Sequence, residues 1–245
     1  PYIKKLTGSK ELLHNLPRYC LWLTNAPEEV KAKPIVAERI EGCKAMRLAS
    51  RDPGCRKLAE RAHEFRDLNN PDTAIVIPCH SSERRDYIPM GFVGKDSIVT
   101  NANQIVPNGT LYDFGILESR MHMTWMRTVC GRLESRYRYS RDLCYNTFPW
   151  PDAKETQRHT IEVLAQKVLD ARDFYPEFTL ADLYDPDKMP PELKEAHEQL
   201  DRAVDQLYRS HPFANDEERL HMLFERYEVL VAESTQKTAK KGKKK

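Results

Sequence analysis

The chain has 245 residues, of which 40% are hydrophobic and 31% charged, a balance ordinary for a soluble globular protein with one large core or two modest ones. No run of about eighteen apolar residues occurs, which excludes a helical membrane span. The chain opens at Pro1 with neither an initiator methionine nor a signal-like stretch, so it reads as a fragment of a longer protein.

The net charge of +2 hides an asymmetry. Residues 1–150 carry 23 Lys plus Arg against 17 Asp plus Glu, residues 151–236 carry 10 against 20, and the final KTAKKGKKK adds six lysines. A polyanionic partner is therefore expected on the first part of the chain or on the tail, not on the acidic middle. The six cysteines (20, 43, 55, 79, 130 and 144) form no CxxC pair, and Cys79-His80 has no companion at metal-ligand spacing. Reduced thiols in a cytoplasmic protein are expected, with no metal site.

In chain order, YCLWL at 19–23 reads as a short buried strand, with Trp22 in the core. Residues 27–68 read as two helices broken at DPG, 52–54. TAIVIP at 73–78 is an apolar, β-branched strand, and residues 87–93 and 97–100 read as a following strand pair. Residues 116–130 take helical spacing, with Leu117, Met121, Trp125 and Val129 as a core stripe and Arg120 and Arg127 on another face. From Arg132 the pattern alternates. If extended, Arg132, Glu134, Arg136 and Arg138 point one way and Leu133, Ser135, Tyr137 and Tyr139 the other.

The prolines of FPWP, 148–151, interrupt any regular ladder and mark a boundary. Beyond it lie three amphipathic helices, expected to form a small antiparallel bundle. Their stripes are Ile161/Leu164/Val168/Ala171, Leu193/Ala196/Leu200/Val204/Leu207 after Pro190-Pro191, and Leu220/Leu223/Phe224/Tyr227/Val231 after an Asn215–Glu218 capping box. The fold class is thus α+β: a mixed domain with a β-sheet core over 1–150, a helical domain over 151–236, and a disordered lysine-rich tail over 237–245.

Catalytic motifs are missing. A methyltransferase needs a glycine-rich turn for its methionine-derived cofactor and an Asn/Asp-Pro-Pro-aromatic loop. Asp113-Phe-Gly115 lacks further glycines, and Asn70-Pro71-Asp72 lacks the second proline. Asp187 with Glu192 and Lys194 resembles a metal-nuclease set but straddles a helix start, where capping charge is the plainer account. His80, Ser81 and Ser82 have no Gly-x-Ser-x-Gly turn around them.

Arginine stands out. Six arginines and no lysine lie between 120 and 141, with Tyr137, Tyr139, Tyr145 and Asn146 among them. Guanidinium forks pair with phosphates or with the guanine O6/N7 edge as lysine cannot. A second polar cluster, SSERRDY at 81–87, holds Ser81, Ser82, Arg84, Arg85 and Tyr87. Composition leaves two accounts open: nucleic-acid binding, or a solvated face ion-paired to Glu118, Glu134 and Asp142.

Several stretches resemble the MmeI-like (type IIL) family of combined restriction–modification enzymes: YCLWL at 19–23, IPCHSSERRDYIPMGF at 77–92, MHMTWMRTVCGRLESRYRYSRDLCYNTFPWP at 121–151, and in the tail LADLYDP, MPPEL and LDRAVDQLY. The resemblance implies a target-recognition domain and a short helical C-terminal domain. Both would belong to a longer polypeptide with an upstream N6-adenine methyltransferase domain, a nuclease in some members, and duplex DNA as partner. S-adenosylmethionine, and Mg2+ where a nuclease is present, would be cofactors of that parent; none is expected on this chain. The resemblance also implies that Glu134 and Arg136, which flank the serine of RLESRYRYS, read one base pair. Chemistry points the same way, since Glu accepts from cytosine N4 and Arg forks onto guanine. An intramolecular Glu134–Arg136 ion pair is the alternative. Ser81, Ser82, Arg84, Arg85, Tyr87, Arg120, Arg127, Arg132, Arg138, Tyr139 and Asn146 are further candidates for phosphate or base contact, with Arg132, Arg138 and Tyr139 placed on phosphates.

Overall fold

A computed structural model describes the backbone of residues 2–242 and the side chains of residues 2–235. The fold is α+β, with three small sheets followed by long helices. In the first sheet β1 (Ile3–Thr7) lies between β2 (Tyr19–Leu21), antiparallel, and a later parallel strand, β6 (Ser97–Val99); α1 (Ser9–His14) connects β1 to β2. β2 is an edge strand with Tyr19 exposed, not the buried strand expected; only Leu23 beyond it is buried. Trp22 is half-buried and stacks on Phe65, ring centroids 5.5 Å apart.

The expected helical stretch breaks into α2 (Glu28–Lys31), α3 (Pro34–Leu48) and α4 (Pro53–Lys57), which continues as a tight turn, Leu58–Arg61. Pro34 and Pro53 sit at first helical positions, and the Asp52 carboxylate caps α4 by accepting from the Gly54 and Cys55 amides. The second expected helix is thus little more than one turn. Arg47 is buried and donates to the carbonyls of Leu58, Arg61 and Glu64, which secures the irregular chain beyond. Leu23, Ala26 and Val36 form a small core of their own here.

The second sheet has β3 (Thr73–Pro78) at its centre, antiparallel to both β5 (Gly91–Gly94) and β7 (Asn103–Pro107). Ile75, Val76 and Ile77 are buried on both faces, as a continuous apolar run requires. The expected pairing of 87–93 with 97–100 does not form: β5 joins β3, while β6 (Ser97–Val99) joins β1 in parallel. Strands this short find stability only beside a longer partner, so tertiary neighbours decide the pairing. A third sheet comprises β4 (His80–Ser81), β9 (Arg136–Arg138) and β8 (Gly131–Leu133) in that order.

The helical segment expected at 116–130 is two helices, α5 (Leu111–Leu117) and α6 (Arg120–Val129). Thr110 caps α5, and Ser119 caps α6 by accepting from the His122 amide. Phe114, Leu117, Met121 and Trp125 are fully buried. Beyond a short turn of π geometry, Arg141–Tyr145, come α7 (Glu155–Asp173), α8 (Leu180–Leu183), α9 (Pro191–Tyr208) and α10 (Asp216–Gly242). α7 packs on both α9 and α5, and the approach is close: a Cβ on Gly115 would lie 2.6 Å from Ile161 Cγ2.

α10 does not complete a free-standing bundle. It docks chiefly on α6, with Phe224 and Tyr227 against Trp125 at centroid distances of 5.3 and 5.4 Å. Its stripe ends there, for Val231 is exposed. Asn215 accepts from the Glu218 amide as expected, but the Glu218 carboxylate reaches back to the Ala214 amide. One hydrophobic core runs from Ile75 to Leu223, so the recognition and helical regions are packed as a unit. The tail expected to be disordered enters only as the α10 backbone to Gly242; its side chains and residues 243–245 lie outside the described residues.

Candidate nucleic-acid interface

The arginine-rich segment folds as a two-stranded hairpin, not as one extended run. β8 and β9 pair with Leu133 opposite Arg136, Arg132 opposite Tyr137 and Gly131 opposite Arg138, leaving Glu134 and Ser135 as the turn. Glu134 has φ 58°, in the left-handed region that costs a non-glycine residue about 1–2 kcal/mol. The turn reverses the expected side-chain directions. Arg132 shares a face with Tyr137, while Arg136 and Arg138 share the outer face.

Glu134 and Arg136 meet at the tip, carboxylate to guanidinium at 2.7 Å, both largely exposed. A contact of this kind in water is worth only about 0–1 kcal/mol, so a ligand can open it at little cost. The tip is carried on a firm base: β9 pairs with β4 (Ser81 opposite Tyr137, His80 opposite Arg138), the Tyr139 amide donates to the Cys79 carbonyl, and Tyr137 is buried. Arg138 is exposed, and its guanidinium forms no hydrogen bond or ion pair among the described residues.

The remaining candidates divide sharply. Tyr87 is buried, donates to Asp201 at 2.6 Å and stacks on His197 at 4.0 Å. Tyr139 is also buried, with its hydroxyl 3.0 Å from His122 Nε2. Burial pushes both phenols above their ordinary pKa. Ser81 is inside as well. These three serve the core in this conformation, and the expectation that they face DNA is corrected accordingly. The sequence placed Tyr139 on a phosphate because its neighbours are cationic; burial depends on which strand lies alongside, which the local pattern does not encode.

Arg120 and Arg127 face the helical region. Arg120 pairs with Asp216 at 2.7 Å and gives its backbone N–H to Asp201, while Arg127 bonds the Arg85 and Asp86 carbonyls and lies 3.9 Å from Asp216. Both act as ties between regions, not as free cations. Arg84 is exposed and paired to Asp187; Arg85 is partly buried, and burial lowers its pKa against the opposing charge of Asp185. Ser82 accepts from the Arg84 amide. Asn146 is exposed and donates to Asp142, which also pairs with Arg141. Arg132 lies over the Tyr137 ring, 4.5 Å from its centroid, and donates to the Ser135 carbonyl at 3.0 Å.

The deepest polar cluster joins the two regions. Arg172 donates to the Met90 carbonyl (2.7 Å), to Glu118 (2.9 Å) and to the Tyr184 hydroxyl, which in turn contacts His197. Burial raises the Glu118 carboxyl to about 7, against the opposing pull of Arg172. No local feature of the sequence marks Arg172 or Glu118 as partners. Glu83 lies in the turn after β4, where its own backbone amide, then Ser135 and the charges of Arg132 and Arg136, hold its carboxyl below the ordinary value.

No described glycine takes positive φ. All six cysteines are free thiols, and the described residues include no group of three or more His, Cys, Asp or Glu able to hold a metal ion. No described helix is long and apolar enough to cross a membrane.

Comparison with known proteins agrees with this architecture. Residues 1–152 match the MmeI target recognition domain and residues 153–234 the MmeI C-terminal domain. DNA methyltransferase A of Bacillus subtilis (strain 168) is 46% identical over 233 residues, covering 94% of this chain and 26% of that protein. The solved structure of the type IIL restriction-modification enzyme MmeI in complex with DNA superposes with a TM-score of 0.90 at 42% identity, over 94% of this chain and 31% of that one. The chain thus spans between a quarter and a third of these relatives. It belongs to the MmeI family, of which it carries the target recognition and C-terminal domains.

Proposed function

We propose that this chain is a sequence-reading module for duplex DNA that serves an adenine-specific methyltransferase, and that Glu134 and Arg136 read one C·G pair from the major groove. The observation that carries this is the hairpin tip, where an acceptor and a donor fork stand side by side 2.7 Å apart on an exposed turn. A C·G pair offers the complementary edge, the cytosine N4 donor beside the guanine O6 and N7 acceptors. The unpaired Arg138 lies on the same outer face and supplies a further fork for the duplex. The chain contributes no reacting group; it fixes which adenine the catalytic part of a longer polypeptide addresses. S-adenosylmethionine, and Mg2+ if that polypeptide also cleaves, would be bound there.

A second reading, an interdomain scaffold, is favoured by one specific observation: Arg120, Arg127 and Arg219 converge on Asp216 and so commit much of the arginine to internal ties. A low-salt binding screen against randomised duplex DNA, repeated with Glu134→Lys plus Arg136→Asp, separates the two. An enriched motif in which the double variant changes one position is the expected result. Salt-insensitive binding without preference in both proteins would leave the scaffold reading standing alone.

A further inference from the structure

We infer that Arg132 is a positioning residue that holds the Glu134–Ser135 turn in its reading shape, and that it does not contact phosphate. This rests on the role given above to Glu134 and Arg136.

The turn needs support. Glutamate occupies a position of φ 58° where glycine is the default residue, and the ion pair beside it is too exposed to hold the backbone. Arg132 supplies a brace from beneath. It sits opposite Tyr137 in the ladder, lays its guanidinium on that buried ring at 4.5 Å, and donates across the turn to the Ser135 carbonyl at 3.0 Å. A planar fork can stack and donate along its edge at once, which a lysine ammonium cannot. The buried Tyr137 thus links the turn to the core through one guanidinium.

The test uses the 245-residue chain with Arg132→Lys and Arg132→Ala, read two ways. The first is amide hydrogen exchange of the free protein. Both Arg132 variants are expected to lose protection at least about tenfold across residues 131–138 while residues 75–77 in β3 are unchanged. The second is binding to the selected duplex over a salt series. Both Arg132 variants should keep the wild-type salt slope and lose about fivefold or more of the discrimination at the C·G pair. A phosphate contact would behave oppositely: Arg132→Ala would lower the slope by about 0.9, with discrimination and exchange intact. Unchanged hairpin exchange in Arg132→Ala, or a lowered slope, overturns the assignment of Arg132. If exchanging Glu134 and Arg136 leaves the DNA motif untouched, base reading by the pair has failed, and the exchange data still decide whether the turn is braced.

Discussion

The hairpin arginines and the seam arginines come from the same chain and do opposite work. At the seam, Arg172 and Arg219 are almost fully buried, and each has a carboxylate within hydrogen-bonding distance, Glu118 at 2.9 Å and Asp205 at 2.6 Å. In the hairpin, Arg136 and Arg138 stand on an exposed face where one has only a labile partner and the other has none among the described residues. Arginine density alone therefore does not identify a nucleic-acid surface. A buried guanidinium must have its donors satisfied internally, by carboxylates as for Arg172 and Arg219 or by carbonyls as for Arg47, because its desolvation is too costly otherwise, and the unspent forks are the ones free to meet DNA.

Breaking the seam gives the largest expected effect. Arg172→Ala leaves Glu118 buried without its cation and should cost about 3–5 kcal/mol in urea unfolding. Gly115→Ala attacks the same junction through packing: the added methyl meets Ile161 at 2.6 Å and Ala165 at 3.3 Å, with an expected loss of about 1–3 kcal/mol. A loss confined to residues 151–235 for either variant would show that the two regions unfold separately, against the single shared core.

The seam also carries a pH signature. Burial, opposed by the Tyr87 hydroxyl and the Arg120 amide, raises Asp201 from 3.8 to about 7, and Glu118 moves the same way. Folded protein then retains protons that the unfolded chain has released. The stabilising contribution is complete below about pH 4 and is lost as pH rises through 7, over a range of a few kcal/mol at most. Asp201→Asn should flatten that slope between pH 5 and 7 in denaturant titrations, whereas a slope equal to wild type would mean that Asp201 stays ionised.

The hairpin should be nearly silent in the same assays. Glu134→Gly relieves the positive-φ turn and is expected to be neutral or to stabilise the free chain by up to about 1 kcal/mol, while abolishing discrimination at its base pair. Measuring stability and motif on the one variant sharpens the contrast, for a seam residue loses both together.

Much of the secondary structure was legible locally. The run 73–78 is a strand because its side chains are apolar and β-branched, and Asp52 and Pro191 set helix starts through a cap and a fixed φ; the cap at Ser119, which divides the stretch read as one helix over 116–130, was not read. The pairing of β5 and β6 was not legible, because strands of three or four residues carry no preference strong enough to choose a neighbour. The hairpin was missed for a related reason: LESR has no glycine or asparagine to announce a turn, so alternation suggested one continuous strand.

For the site, the chain by itself determined which chemistry is present: an acid and forked cations in one short segment, and none of the motifs that hold a methyl donor. Tertiary structure alone decided which of those groups are free. Tyr87 and Tyr139 are core, and Arg120 and Arg127 are ties, because their burial and partnership depend on residues 17–114 positions away that no local pattern encodes; Glu134 and Arg136 pair within their own hairpin and stand at its exposed tip.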